Sequence, residues 1–189
     1  IIMIDTENLR YYCENQKWDV ILNYLISSDV STDEKKINLM GSEKSASCLH
    51  LACGGLCGNK FASLDVIHLM LKIGGKDLVL KSKSNGDTVL HSVVLQYCVH
   101  SGSKRFAEMM HLLVKFGGKD LIKVRNNQGY TALNVACTDT TYAGTSSSSS
   151  TCIDFLLKHG GPDLIVRDGQ DAFRRLFENS NVPKHKADN

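Results

Sequence analysis

The sequence predicts an all-α solenoid of stacked helix–turn–helix repeats with extended finger loops between them. Three observations carry this. Gly74-Gly75-Lys76-Asp77-Leu78 returns as Gly117-Gly118-Lys119-Asp120-Leu121 and, altered, as Gly160-Gly161-Pro162-Asp163-Leu164, at two equal steps of 43 residues. An apolar triplet at i, i+3, i+4 recurs from Leu9, Leu49, Leu90, Leu133 and Phe173, at steps of 40, 41, 43 and 40. A four-residue apolar stripe precedes each Gly-Gly unit. Self-similarity at such a period marks units that cannot bury their apolar faces alone and stack to do so.

The triplets define the first helix of each unit. They read Leu9, Tyr12, Cys13; Leu49, Ala52, Cys53; Leu90, Val93, Val94; Leu133, Ala136, Cys137; and Phe173, Leu176, Phe177. This spacing places three side chains on one helix face. Ser47, Thr88 and Thr131 precede the inner three, where a hydroxyl can cap free N–H groups. Val93, Val94, Tyr97 and Cys98 lengthen the third of these helices by a turn.

The stripes define the second helix: Ile21, Leu22, Leu25, Ile26; Val66, Ile67, Met70, Leu71; Met109, Met110, Leu113, Val114; and Cys152, Ile153, Leu156, Leu157. Spacing at i, i+1, i+4, i+5 is a buried helix face. The glycine pair that follows is read as the helix stop, with Asp29 in that place in the first unit. Each unit then makes a long excursion ending in Gly-x-Thr, at Gly86-Asp87-Thr88 and Gly129-Tyr130-Thr131. In the fourth unit the paired helices are separated by Thr145, Ser146 to Ser150 and Thr151, a flexible loop by composition.

Ser47-Cys48-Leu49-His50-Leu51-Ala52, Thr88-Val89-Leu90-His91-Ser92-Val93 and Thr131-Ala132-Leu133-Asn134-Val135-Ala136 resemble the Thr-Pro-Leu-His-x-Ala pattern of the ankyrin repeat, over about residues 5 to 178. None of the three has the proline, and the period exceeds the usual 33 or so residues. The resemblance implies repeats at about 3–44, 45–84, 85–127 and 128–167, a half repeat at 168–180, and a disordered tail at 181–189. It also implies that His50 and His91 brace the hairpins as hydrogen-bond donors. Arg10, Glu14, Arg174 and Arg175 make the outermost first helices polar, as capping units need.

Composition excludes several classes. Hydrophobic residues are 42% and charged residues 22% of 189, the balance of an ordinary globular domain. No apolar run approaches the roughly 20 residues that span a bilayer. A net charge of +2 argues against a nucleic-acid partner, and two prolines exclude proline-rich readings. The chain opens on Ile1 with no basic-then-apolar leader, and its seven cysteines have no framework spacing. The expected setting is therefore cytoplasmic or nuclear.

Candidate chemistry dissolves into repeat columns. Cys48, His50, Cys53 and Cys57 suggest zinc, yet Cys53 shares a packing column with Cys13, Val94 and Cys137, and paired Cys-x-x-Cys knuckles are absent. Disulfides between columns are disfavoured by helix spacing. Gly75-Lys76 and Gly118-Lys119 lack the remaining elements of a phosphate loop. His68 and His111 fall off the stripe, onto the surface. The expectation is no catalysis, no cofactor, no metal and no small-molecule substrate.

The fingers are less bland. Lys81 and Lys83, Lys123 and Arg125, and Arg167 precede successive turns, and stacking is expected to align them as a basic ridge. Tyr130 and Asp87 occupy the variable position of Gly-x-Thr. Tyrosine and arginine are enriched at binding hot spots. The function expected is a protein-binding scaffold or adaptor that uses its concave face and these seven residues, with an acidic protein segment or surface as partner. First-helix surfaces around Gln96 and Thr138 are the other location considered. The alternatives are an enzyme or metal- or nucleotide-dependent domain, and a nucleic-acid binder using the basic fingers.

Overall fold

The computed structural model describes residues 5–43, 45–54, 61–99, 103–138 and 147–164, with single helical positions at 166, 170 and 174. The described residues hold nine helices: α1 (Thr6–Glu14), α2 (Trp18–Ile26), α3 (Thr32–Met40), α4 (Cys48–Gly54), α5 (Leu64–Leu80), α6 (Val89–Val99), α7 (Lys104–Lys123), α8 (Ala132–Thr138) and α9 (Ser147–Gly160). They stack in two layers. First helices α1, α4, α6 and α8 pack in succession, and α3, α5, α7 and α9 form the second layer behind them.

The repeated apolar positions build the core. Leu9, Leu49, Leu90 and Leu133 are buried, as are Ala52, Cys53, Val93, Val94, Ala136 and Cys137. In the second layer Val66, Ile67, Met70 and Leu71, then Met109, Met110 and Leu113, then Cys152 and Leu156 are buried. Each buried aliphatic side chain contributes about 1.5–3 kcal/mol of transfer free energy. Tyr97 and Cys98 extend the buried face of α6 as their spacing predicts. The fifth triplet, the tail and most of the half repeat lie outside the described residues.

The glycine stops take a specific form. Gly75 (φ 59°, ψ −152°) and Gly118 (φ 63°, ψ −157°) interrupt α5 and α7 in a region that only glycine adopts readily. The chain then makes another helical turn, which buries Leu78 and Val79, and Leu121 and Ile122. So the excursion begins as helix rather than loop. In the first unit this segment grows into α3, capped by the Ser31 hydroxyl on the Glu34 N–H. Together α2 and α3 cover α5.

Two sequence expectations are corrected. Ile26 is 63% exposed, and Tyr24 takes the buried place, accepting a hydrogen bond from the Asn38 amide at 2.9 Å. Ser147 to Ser150 form the first turn of α9 rather than a flexible loop, because the stripe they precede anchors Cys152 and Leu156 in the core. Ser146 lies outside the described residues.

Among the described residues no helix is long and apolar enough to cross a membrane, and no group of three His, Cys, Asp or Glu gathers as metal ligands.

Candidate functional site

Among the described residues two fingers project between repeats. In the first, the Lys83 N–H donates to the Asp87 carbonyl at 2.9 Å and Gly86 N–H to the Lys83 carbonyl at 2.8 Å. The second repeats this with Asn126 to Tyr130 at 2.9 Å and Gly129 to Asn126 at 2.8 Å. The fingers are tied to each other. Asn127 N–H donates to the Asn85 carbonyl (3.0 Å), its amide to the Ser84 carbonyl (2.9 Å), and the Asn126 amide to Asp87 Oδ1 (2.8 Å).

Histidines fix each finger to the helix behind it. Thr88 N–H donates to His91 Nδ1 at 3.2 Å, so Nδ1 is the acceptor nitrogen, and Nε2–H donates to the Tyr130 carbonyl at 3.0 Å. His50 repeats the arrangement, with Ser47 Oγ 2.8 Å from Nδ1 and Nε2 3.3 Å from the Asp87 carbonyl. In the fourth unit Asn134 Oδ1 accepts from Thr131 N–H at 2.9 Å. Burial, with Lys83 nearby, lowers His50 to a pKa of about 4, and burial lowers His91 as well. With both ring nitrogens engaged and the neutral form favoured, these groups hold the scaffold.

Between fingers and first helices lies a groove of about 290 Å³. Leu51, Gly54 and Val135 contribute to its apolar side, and Leu95 stands in it 41% exposed. Gln96, Gln128 and Tyr130 offer polar edges. Lys83 reaches Ser92 Oγ at 3.2 Å and lies 4.0 Å from the Asp87 carboxylate. Asp87 also accepts from the Asn85 amide at 2.6 Å.

The groove therefore gathers Lys83, Asp87 and Tyr130 from the seven residues singled out in the sequence, and Gln96 with them. Lys81 instead turns back one repeat. Its ammonium donates to the carbonyls of Met40, Gly41 (3.4 Å) and Ser42 (2.6 Å), at the end of α3. Lys123 pairs with Asp163 at 3.0 Å. Arg125 is exposed and donates to the Gly129 carbonyl at 2.7 Å. Arg167 and the Thr138 side chain lie outside the described residues. The expected ridge does not fall in register: the finger frame matches Lys83 with Asn126 and Asp87 with Tyr130, one residue off the Lys123 and Arg125 positions. Sequence reasoning missed Leu95, although it is a leucine off the buried face of α6 and so stood in the sequence as an apolar residue without a core role.

The fold is an ankyrin-type solenoid. The helix pairs, the linked fingers and the histidine braces make it so. No protein-family model matches the chain, and no curated protein matches it. Among solved structures the chain is similar to a crystal structure of an ankyrin repeat protein, EF0377, at 14% identity and a TM-score of 0.44, over 94% of this chain and 98% of that one.

Proposed function

We propose that this solenoid is a protein-interaction module whose groove takes an extended segment of a partner protein. The observation that carries the reading is Leu95, an exposed leucine set in an apolar-floored groove beside Tyr130. An aliphatic side chain of the partner packs on Leu95, Gln96 and Gln128 meet its backbone, and a carboxylate reaches Lys83. Tyr130 supplies rigid apolar area with a polar tip. Lys81, Lys123, Arg125 and Arg167 add positive charge along the fingers, which favours acidic residues flanking the anchor and speeds encounter. The module acts by binding and not by catalysis, in a cytoplasmic or nuclear setting.

The test is a display library of unstructured peptides selected on the intact chain. Leu95→Asp places a charge in the groove. Gly54→Leu fills its floor, where an added Cβ meets only Ser92 among the described residues, at 3.8 Å. Selected peptides should lose at least tenfold in affinity for either variant, roughly 1.4 kcal/mol. Peptides that bind both variants as they bind the parent chain would place the site elsewhere.

A further inference from the structure

The outer helices carry a second cationic feature, separate from the fingers. Lys72, Lys115 and Lys158 follow the 43-residue step and stand two residues before Gly74, Gly117 and Gly160. They occupy one position on three successive helices, α5, α7 and α9, and all three are exposed. The molecule treats them unlike its other inter-repeat lysines. Lys36 pairs with Asp77 at 2.7 Å, Lys76 with Asp120 at 2.5 Å and Lys123 with Asp163 at 3.0 Å. Lys72, Lys115 and Lys158 make no ion pair with any described residue.

A ladder of rings climbs the same helices beside them. His68 on α5 lies edge-on to Phe116 on α7, with ring centres 6.0 Å apart. His111 on α7 meets Phe155 on α9 at 4.6 Å, and Phe155 meets His159 at 4.5 Å. None of these residues lines the groove.

We propose that this lysine column and ring ladder form a second docking surface, and that its occupant is an acidic amphipathic helix of a partner protein. Charge complementarity sets the sign, since three exposed cations in register make no ion pair with a described carboxylate, Asp154 one turn before Lys158 included. Spacing selects the form. Packed helices lie about 8–10 Å apart, so equivalent lysines repeat at that interval across the layer. A helix laid across them returns to one face every seven residues, about 10.5 Å. An extended strand returns about every 6.8 Å, which falls out of step. The rings supply the apolar side of the contact, so the partner helix carries acidic residues at i, i+7 and i+14 with leucine or methionine beside them.

A simpler role for these lysines is to complement the carbonyl ends of their helices. That role affects stability and not binding, which separates the two. The probe is a synthetic helical peptide with glutamate at heptad spacing and leucine four residues after each, against a scrambled peptide of the same composition. Binding to the whole chain is read by fluorescence anisotropy at low and high salt, with melting followed in parallel. The heptad peptide should bind the tighter of the two, and more weakly in high salt. Replacing Lys72, Lys115 and Lys158 together by Gln should weaken it about tenfold, as three partly screened charge contacts would. Lys17→Gln, elsewhere on the surface, and Leu95→Asp, in the groove, should leave it unchanged. The proposal falls if the triple variant keeps its affinity, if both peptides bind alike, or if Leu95→Asp abolishes binding. It also falls if an oligothymidine binds this face more tightly than the heptad peptide. Should the triple variant melt early, Lys115→Glu alone gives the same readout with two of the three helix ends intact.

Discussion

His91 hooks the finger of the following repeat: its Nε2 lies 3.0 Å from the Tyr130 carbonyl, 39 residues along the chain. The bond needs a proton on Nε2, while Nδ1 must stay bare to accept the Thr88 N–H. A second proton would abolish that acceptor. His50 and His91 are thus held neutral by burial, with His50 at about 4.

The consequence is a defined acid sensitivity. His50 titrates near 6.5 when unfolded and near 4 when folded, so the unfolded chain binds more protons between those values. Stability is full above about pH 6.5, falls as pH drops toward 4, and loses nothing more to this group below that. At about 1.4 kcal/mol per unit, His50 accounts for up to about 3 kcal/mol. Urea titrations at pH 7 and pH 4.5 should show the loss. His50→Asn, which copies the Asn134 arrangement, should flatten the dependence, and an unchanged slope would contradict the assignment.

Gly75→Ala and Gly118→Ala should each destabilise by about 1–3 kcal/mol, since both positions need backbone angles that a Cβ opposes. Gly54 is the contrast. Its φ lies outside the left-handed region and an added Cβ makes only an ordinary van der Waals contact with Ser92, so Gly54→Ala should leave the denaturation midpoint unchanged or slightly raised. Equal losses at all three positions would show that backbone geometry is not the cause.

Lys81→Met keeps most of the side chain and deletes the ammonium that closes the end of α3. The carbonyls of Met40 and Gly41 then lose their ammonium donor, while that of Ser42 keeps the Ser45 hydroxyl and N–H, and a loss of about 1–2 kcal/mol is expected. Lys83→Met, whose ammonium meets only Ser92 and Asp87 among the described residues, should cost less. Thermal melts of the two variants, side by side, decide it.

The described cysteines should be slow to react in the native state. Contact with the Cys48 thiol, with burial, pushes Cys13 up, and contact with the Cys98 thiol does the same for Cys152. Burial alone pushes Cys53 up to about 12, and burial is the main cause at Cys137, at about 11. Thiolate is the reactive form. In a Cys57→Ser background, a thiol reagent should modify the folded chain far more slowly than the urea-unfolded chain. Fast labelling before unfolding would mean that the core opens readily.

Period carried most of the architecture into view. The leucine and glycine columns located both helix layers and their buried faces, because burial acts on spacing and spacing is written in the chain. What escaped was decided by long side chains and by tertiary support. Lys81 precedes a finger in the sequence, but its stem is long enough to serve the preceding repeat. Ser147 to Ser150 read as linker by composition, yet the buried stripe after them holds their backbone in α9. The helix α3 was hidden because its only apolar residues, Ile37, Leu39 and Met40, make too short a pattern. The misregister of Lys123 and Arg125 with Lys83 was legible in the 43-residue step, which sends Lys83 to Asn126. The groove itself was half legible: Tyr130, Asp87, Lys83 and Gln96 stood out by position, while Leu95 needed knowledge of which face of α6 is covered.

The inter-repeat bonds from His50 to Asp87, His91 to Tyr130, Lys36 to Asp77, Lys76 to Asp120 and Lys123 to Asp163 span 37 to 44 residues, about one unit each. A chain coupled to its nearest neighbour behaves as a row of dominoes, with a movable boundary between ordered and melted units. Protection against hydrogen exchange should then fall off from the middle units outward, with α6 and α7 exchanging last. Denaturation need not be all-or-none, and a partner bound across α5, α7 and α9 would act as a clamp that holds the boundary at the ends.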